Sequence, residues 1–165
     1  KLLQNMHEGL LILTEPTDTE QRYFSLCNDQ AFKLITKYLG KIEGQNEKET
    51  RAKQRELLSK RSFYDVKIEN GKEFQTPLGA SSMRSLDEII LAQRDEPSQR
   101  NCIYRLRKET EASGGPSEEQ YFQIRVASID FLQKPATAVY FYDLTKHVKS
   151  YQLTNKLLQQ ERKNA

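Results

Sequence analysis

The feature that most constrains this chain is a change of hydrophobic period within residues 121–160. Residues 121–126 alternate between polar and apolar side chains, which is typical of a half-buried strand. Residues 136–142 are apolar on both sides of the chain, which predicts a central strand covered on both faces. From Thr145 onward, apolar residues recur every three or four positions, as they do along one side of a helix. The sequence therefore predicts a central strand that runs directly into a helix.

The segment between these two strands indicates how they are connected. After Val126 the apolar positions shift by one residue to Ile129 and Phe131, which predicts a bulge or a change of face. A turn is predicted at residues 133–135, because Pro135 fixes its own φ and cannot donate a hydrogen bond to a central ladder.

The predicted helix carries a heptad seam, and Thr145 is its expected N-cap because its hydroxyl can accept from a first-turn amide. The seam residues are spaced three and four apart: Leu144, Val148, Tyr151, Asn155, Leu158 and Arg162. Because so short a seam is marginal alone, we expect the helix to continue beyond Ala165 or to pair with a copy of itself. Its basic residues leave open a membrane-surface or calmodulin-target helix, but the lack of a bulky apolar face favours a coiled-coil linker.

Length and composition limit the class of protein. At 165 residues the chain is expected to form one domain. Only 36% of the residues are apolar and 30% are charged, so part of the chain is expected to be a solvated insertion. The net charge of +3 is too small to demand nucleic acid or a membrane as a partner. No run has the length of a membrane span and no signal peptide is visible, and we expect the chain to be part of a longer protein.

The two cysteines indicate a cellular compartment. Cys27 and Cys102 lie far apart, each inside a strand-like run. We expect buried free thiols rather than a disulfide, as in a reducing environment, which predicts a cytoplasmic location.

The amino-terminal quarter predicts a helix, two strands and a second helix. An apolar edge at residues 1–8 indicates a short helix, and the apolar run at 10–13 indicates a buried strand. Residues 22–27 are its expected hairpin partner. Asn28 is the expected N-cap of a helix that ends before Gly40.

Residues 45–82 differ in kind and form an expected insertion. Asn46 and Glu49 have capping-box spacing at the start of a charged helix, which its last turn pins to the core. A hairpin closed by Asn70-Gly71 follows. The lysines and arginines of this helix could suggest a nucleic-acid surface. Interleaved glutamates cancel most of that charge, and no aromatic residue lies among them for base stacking, so we expect no nucleic acid partner.

The remaining elements complete an α+β pattern. Ser85 and Glu88 form a capping box that opens another helix, and residues 102–106 alternate as in a strand. Strands thus come first, helices lie in the middle, and three strands come last. The expected fold is one five-stranded antiparallel sheet covered on one face by helices, with a coiled-coil-type helix at the end.

Four local patterns occur in an order known from one domain family. They are an apolar helix running into a strand (residues 2–13), a strand running into an Asn-initiated helix (24–32), a Ser-capped helix (85–91), and a strand (139–145) ending in Asp143-Leu144-Thr145. This order resembles a PAS sensor domain, of the kind found N-terminal to histidine kinases, whose last strand ends in Asp-Ile-Thr. The resemblance covers both ends of the chain and leaves residues 45–82 unexplained.

The resemblance implies a sheet in the strand order 2-1-5-4-3, with the first and last strands side by side. It divides the chain into a sensor domain at residues 1–145 and the start of an output helix at 146–165. It implies that Asp143 and Thr145 tie the last strand to this helix through hydrogen bonds, and that the terminal helices dimerise. On the alternative interpretation, Thr145 is only a cap and Asp143 only a surface residue.

The sequence offers few groups for catalysis or metal binding. His7 and His147 lie in or beside the terminal helices, where we expect solvated or dimer-facing side chains. No Cys/His spacing suits zinc and no glycine-rich loop suits a phosphate. Haem-binding relatives need an axial ligand in the central helices, and flavin-photosensing relatives need a reactive cysteine in a helix. We therefore expect neither group, while a small organic ligand stays open.

Three hypotheses follow for function. The first is a non-enzymatic sensory and dimerisation module of a two-component system, which relays a signal through its C-terminal helix to an effector such as a histidine kinase. The second is a small α+β enzyme or ligand carrier, although no converging catalytic set is visible. The third is a protein-interaction platform built on residues 45–74. We expect a homodimer without direct membrane contact.

Overall fold

A computed structural model describes residues 8–70, 72–75, 83–107 and 119–164. Within them the fold is α+β, with an antiparallel sheet and four helices. The strands are β1 (Gly9–Thr14), β2 (Phe24–Cys27), β3 (Arg61–Glu69), β4 (Lys72–Gln75), β5 (Met83–Ser85), β6 (Ile103–Arg107), β7 (Glu119–Phe131) and β8 (Lys134–Asp143). The helices are α1 (Asp29–Tyr38), α2 (Glu47–Ser59), α3 (Leu86–Asp95) and α4 (Thr145–Asn164), with a short 3-10 helix at Pro97–Asn101.

Some predicted elements lie outside the described residues. They are the opening helix except for its last residue, and Gly71 of the predicted hairpin turn.

The described strands form one sheet in the order β2-β1-β8-β7-β6-β3-β4, and β5 also pairs with β3. The prediction of five strands in the order 2-1-5-4-3 is wrong for this sheet, which has eight strands and a longer order. The cause is β3, which pairs with β6 from Phe63 opposite Leu106 to Val66 opposite Ile103. The hairpin expected as a separate insertion therefore extends the sheet. Phe63 packs in the core on one face, and the alternating Tyr64, Val66 and Ile68 pack on the other.

The first and last strands lie side by side in the middle of the sheet. The ladder between β1 and β8 runs from Gly9 opposite Phe141 to Thr14 opposite Ala136. This confirms the expected neighbour of residues 136–142. Ala138 and Val139 point to opposite faces and are both 0% exposed, so β8 is covered on both sides as its apolar run predicts.

Helices α1, α2 and α3 cover one face of the sheet, here called the inner face. The Phe63 and Tyr104 rings meet edge to face there, with centroids 6.4 Å apart. The main core lies between these helices and the sheet, and its fully buried members include Leu11, Ile35, Leu58, Phe63, Ile89, Tyr104, Ile124 and Phe141.

Side-chain caps begin these helices as the sequence predicts. Asn28 caps α1, Asn46 caps α2, and Ser85 with Glu88 forms the predicted capping box of α3. The side-chain Oδ1 of Asn28 also accepts from the N–H of Leu10 at 2.9 Å, which ties α1 to β1.

Helix α2 is the solvated helix that the sequence predicts, and its last turn holds it to the core. Leu57 and Leu58 are buried, while most of its other side chains are at least partly exposed. Gln54 adds a polar contact, since its Oε1 accepts from the N–H of Phe24 at 3.0 Å. That bond occupies an amide of the edge strand β2.

Strand β7 changes its apolar side along its length. Ile124 and Val126 face the inner core, whereas Ile129 and Phe131 join a cluster on the opposite, outer face. Because β7 and β8 pair without a shift of register, the predicted change of face is confirmed and the alternative of a bulge is wrong.

A two-residue turn joins β7 to β8. Leu132 and Gln133 have φ of 52° and 65°, as in a type I′ turn. The turn predicted at residues 133–135 is therefore placed too late, because Pro135 lies within β8 opposite Asp130. A proline is accommodated there because it is close to the start of the strand.

Candidate signal-relay site

The end of β8 and the start of α4 are hydrogen-bonded to the start of β7. The N–H of Thr145 donates to Oδ1 of Asp143 at 2.9 Å. The N–H of Leu144 donates to the carbonyl oxygen of Tyr121 at 2.8 Å, and the N–H of Tyr121 donates to Oγ1 of Thr145 at 3.0 Å. We call these four residues the joint. The hydrogen bonds that the resemblance implies for Asp143 and Thr145 are present, and their part in signal relay stays a prediction.

The joint also shows how α4 begins. The helix starts at Thr145, so Leu144 stands at the N-cap position and the prediction that Thr145 is the N-cap is wrong. The Asp143 carboxylate occupies the first helical amide instead, where a negative charge complements the positive end of the helix dipole. The Thr145 hydroxyl instead accepts from the N–H of Tyr121, which connects α4 to β7 as well as to β8.

Beneath the joint, three side chains form a buried polar group on the outer face, here called the outer ionic cluster: Glu73 of β4, Arg105 of β6 and Tyr121 of β7. The Tyr121 hydroxyl donates to Glu73, whose carboxylate also pairs with Arg105. The guanidinium carbon of Arg105 lies 4.9 Å from the ring centroid of Tyr64. Burial raises the pKa of Tyr121, and the hydrogen bond and charge of Glu73 raise it further. Tyr121 therefore remains a hydrogen-bond donor at neutral pH.

The first half of the predicted dimer seam packs against the domain itself. Val148 is only 5% exposed and belongs to a buried cluster with Val66 and Tyr121. Leu144 is partly buried against the same cluster. These two residues stabilise the position of α4 on the outer face.

In the second half of the seam, one residue contacts the domain and the others are exposed. The side-chain amide of Asn155 donates to the carbonyl oxygen of Asn70 at the tip of the β3–β4 hairpin. Tyr151 and Leu158 are 51% and 48% exposed. Arg162 is also exposed, as is every side chain from Lys156 to residue 163.

Sequence reasoning missed a second exposed apolar pair on α4. Leu153 and Leu157 are 59% and 54% exposed and lie one helical turn apart. The signal was present in their spacing of four, but the heptad seam through Val148 explained the helix without them.

Sequence reasoning also missed a polar group on the inner face, here called the inner ionic cluster: Glu15, Arg22, Arg94 and Thr137. The buried Thr137 hydroxyl accepts from Arg22 at 2.7 Å and from Arg94 at 2.8 Å, and it donates to Glu15. Arg94 also pairs with Glu15 at 2.7 Å. Glu15 and Thr137 are 122 residues apart, so no local pattern indicates this contact.

The inner ionic cluster controls the ionisation of Glu15. Burial acts to raise the pKa of this carboxyl, but the hydrogen bonds from Thr137 and Arg94 and the charges of Arg94 and Arg22 together hold it below its ordinary value. Glu15 is therefore ionised in the folded protein at neutral pH.

A cavity of about 170 Å³ lies between α1 and the sheet, next to the joint. Its lining combines apolar side chains with charged ones at the rim: Gly9, Gln30, Lys33, Leu34, Lys37, Tyr38, Gln120, Phe122, Phe141 and Asp143. Ligand sites usually measure about 300–1,000 Å³, so this cavity suits only a very small molecule.

The described residues carry little metal or redox chemistry. Among them, no group of three or more His, Cys, Asp or Glu side chains could hold a metal ion. Cys27 and Cys102 are free and partly buried; burial raises the pKa of Cys102, and burial with the charge of Asp29 raises that of Cys27 to about 12. His147 is exposed on α4, and His7 lies outside the described residues.

Comparisons with known proteins add no family to this geometry. No family model matches the chain, and a search of curated proteins found no match. Across the described ranges, none of the helices combines the length and apolar character that crossing a membrane requires. The function must therefore be argued from the site.

Proposed function

We propose that this chain is a PAS-like, non-catalytic sensory and dimerisation module that relays a signal through α4 to a downstream effector, such as a histidine kinase. One observation carries the proposal: the joint of Tyr121, Asp143, Leu144 and Thr145 connects the central strand directly to a helix whose second half carries exposed apolar side chains.

The sheet supports the proposal. Five of its strands, β2-β1-β8-β7-β6, follow one another in the order that the PAS resemblance implies, and β3, β4 and β5 extend the edge beyond β6. The longer sheet is an addition at one edge, because it leaves the pairing of β1 with β8 in the middle unchanged.

The geometry of the joint supports a mechanical relay. Asp143 is the last residue of β8, and its carboxylate bonds the first amide of α4. Tyr121 bonds both Leu144 and Thr145 from the neighbouring strand β7. In the proposed relay, a small displacement between the ends of β7 and β8 changes the direction of α4, because hydrogen bonds hold its first residues to both strands.

The exposed part of α4 supports dimerisation. Tyr151 and Leu158 are seven residues apart and lie on the same side of the helix, close to the predicted seam. Leu153 and Leu157 form a second apolar pair. The two pairs lie on different sides of α4, so Tyr151 with Leu158 is the pair that fits the predicted seam.

Sedimentation equilibrium of the full 165-residue chain tests the proposal. We expect a concentration-dependent dimer that Leu158→Asp weakens at least about tenfold, because a carboxylate would lose its hydration in the apolar seam. Gln160→Asp is the matched control, since it places the same charge at an exposed polar position of α4.

Val148→Asp does not serve this purpose, because Val148 is buried in the domain itself and its loss would destabilise the fold. A chain that stays monomeric at millimolar concentration, or a Leu158→Asp variant that dimerises as tightly as Gln160→Asp, would contradict the proposed function.

A further inference from the structure

The β3–β4 hairpin and α4 contact each other although they are distant in sequence. Asn155 donates to the carbonyl oxygen of Asn70, which lies between β3 and β4. One helical side of α4 makes the contacts with the domain, because Leu144, Val148 and Asn155 are four and seven residues apart. The hairpin thus holds α4 beyond its first two turns.

The outer ionic cluster fixes the hairpin in the position that this contact requires. Glu73 of β4 pairs with Arg105 of β6 and accepts from Tyr121 of β7, so one carboxylate joins three strands. The Glu73 and Arg105 side chains are 18% and 10% exposed. Charge-assisted hydrogen bonds at such partly buried sites are stronger than those between neutral groups.

The same side of α4 has two competing uses. The predicted seam needs Val148 and Asn155 to face a second helix, yet both face the domain in the single chain. Tyr151 and Leu158 lie on the flank of this side and are half exposed. A second copy cannot occupy the full seam while the hairpin contact is closed.

We propose that the β3–β4 hairpin is an intramolecular latch, which holds α4 against the outer face and competes with a second copy of the chain for the same side of that helix. The competition rests on the proposed dimerisation, whereas the latch itself does not. Opening the latch frees the second half of the seam around Asn155, while Leu144 and Val148 stay packed against Val66 and Tyr121. An event that displaces the hairpin therefore changes the pairing of the output helices through this second half.

Amide hydrogen exchange of the full chain tests the latch. Asn155→Asp keeps the side-chain shape but removes the donor, and it leaves helix propensity nearly unchanged. We expect amides 149–158 to exchange about fivefold faster, in line with the loss of one net hydrogen bond. Amides of β1 should be unaffected, since β1 lies in the middle of the sheet.

Gln159→Glu is the matched control for this variant, because it makes the same amide-to-carboxylate change at an exposed position of α4. Equal exchange of amides 149–158 in Asn155→Asp and Gln159→Glu would overturn the latch.

Glu73→Ala tests the anchor and the competition together. It should accelerate exchange of amides 149–158 at least about tenfold, because hydrogen bonds to charged groups contribute more than neutral ones. It should also tighten the dimer measured by sedimentation equilibrium. Glu69→Ala is its control, since Glu69 lies on the same hairpin with its carboxylate exposed beside Lys67.

The outcomes separate the latch from the proposed function. If Glu73→Ala accelerates exchange in α4 but leaves a measurable dimer unchanged, the competition is overturned. If the wild-type chain forms no dimer, the proposed function fails, and the exchange of Asn155→Asp alone decides whether the latch exists. If the amides of β1 also exchange faster in Glu73→Ala, that variant has lost global stability. The exchange of amides 149–158 in Asn155→Asp then decides whether the latch exists.

Discussion

The two faces of the sheet are organised differently. On the inner face, three helices and the sheet enclose one continuous core, and the inner ionic cluster is attached to it. On the outer face, buried apolar residues form two separate groups, one around Leu10 and Ala138 and one around Tyr121 and Val148. A continuous core resists local change because its residues share many neighbours, whereas small separate groups can rearrange one at a time. We therefore expect the inner face to contribute most of the free energy of unfolding and the contacts of the outer face to rearrange more readily.

The largest expected effect is on the inner face. Phe63→Ala should lower the free energy of unfolding by about 3–5 kcal/mol, because it removes a fully buried ring and leaves a cavity beside Tyr104. Urea unfolding followed by circular dichroism would measure it. A loss of unfolding free energy smaller than that caused by outer-face substitutions would contradict this division between the two faces.

The inner ionic cluster gives an effect that depends on pH. Thr137→Val should lower the free energy of unfolding by about 1–3 kcal/mol at neutral pH, because the buried hydroxyl satisfies two arginines and Glu15. Thr36→Val, at an exposed position of α1, is the control and should change it little.

The sign of the pH dependence follows from the lowered pKa of Glu15. A carboxyl whose folded pKa is lowered contributes stability above its ordinary pKa of 4.5, and that contribution is lost as pH falls through the folded value. The difference between wild type and Thr137→Val should therefore shrink below about pH 4.5. Urea unfolding at pH 7 and pH 3 measures this difference, and an equal difference at both values would exclude Glu15 as the cause.

The smallest expected effect is on the outer face. Val148→Ala should cost about 1 kcal/mol, because the methyl groups lost from a buried site are partly offset by the higher helix propensity of alanine. Leu157→Ala, on the exposed side of α4, should stay within about 0.5 kcal/mol of wild type. Thermal unfolding of both variants measures the difference, and equal effects would mean that α4 is not docked through Val148.

The elements that sequence reasoning located correctly depend on local signals. The caps at Asn28, Asn46 and Ser85 are short-range hydrogen bonds, so residue type and spacing suffice to predict them. The doubly covered strand β8 follows from an apolar run that permits little else. Thr145 was misplaced as the N-cap because its own N–H is bonded by the Asp143 carboxylate and its hydroxyl accepts from Tyr121, a residue of a distant strand.

The elements that were missed depend on distant partners. Glu73, Arg105 and Tyr121 come from three separate strands, and nothing in their neighbours along the chain indicates that they meet. The pairing of β3 with β6 was missed for the same reason, since the Asn70 turn closes the hairpin locally and gives no sign of β6 on the other side of β3.

The α+β class, the caps of α1, α2 and α3, the central strand and the helix that follows it can be predicted from the chain alone, because periodicity and capping act over a few residues. The extension of the sheet by the hairpin and the docking of half of the seam on the domain became visible only in the folded chain. Those choices depend on which surfaces bury each other once the chain is folded, and contacts between residues tens of positions apart leave no periodic trace in the sequence.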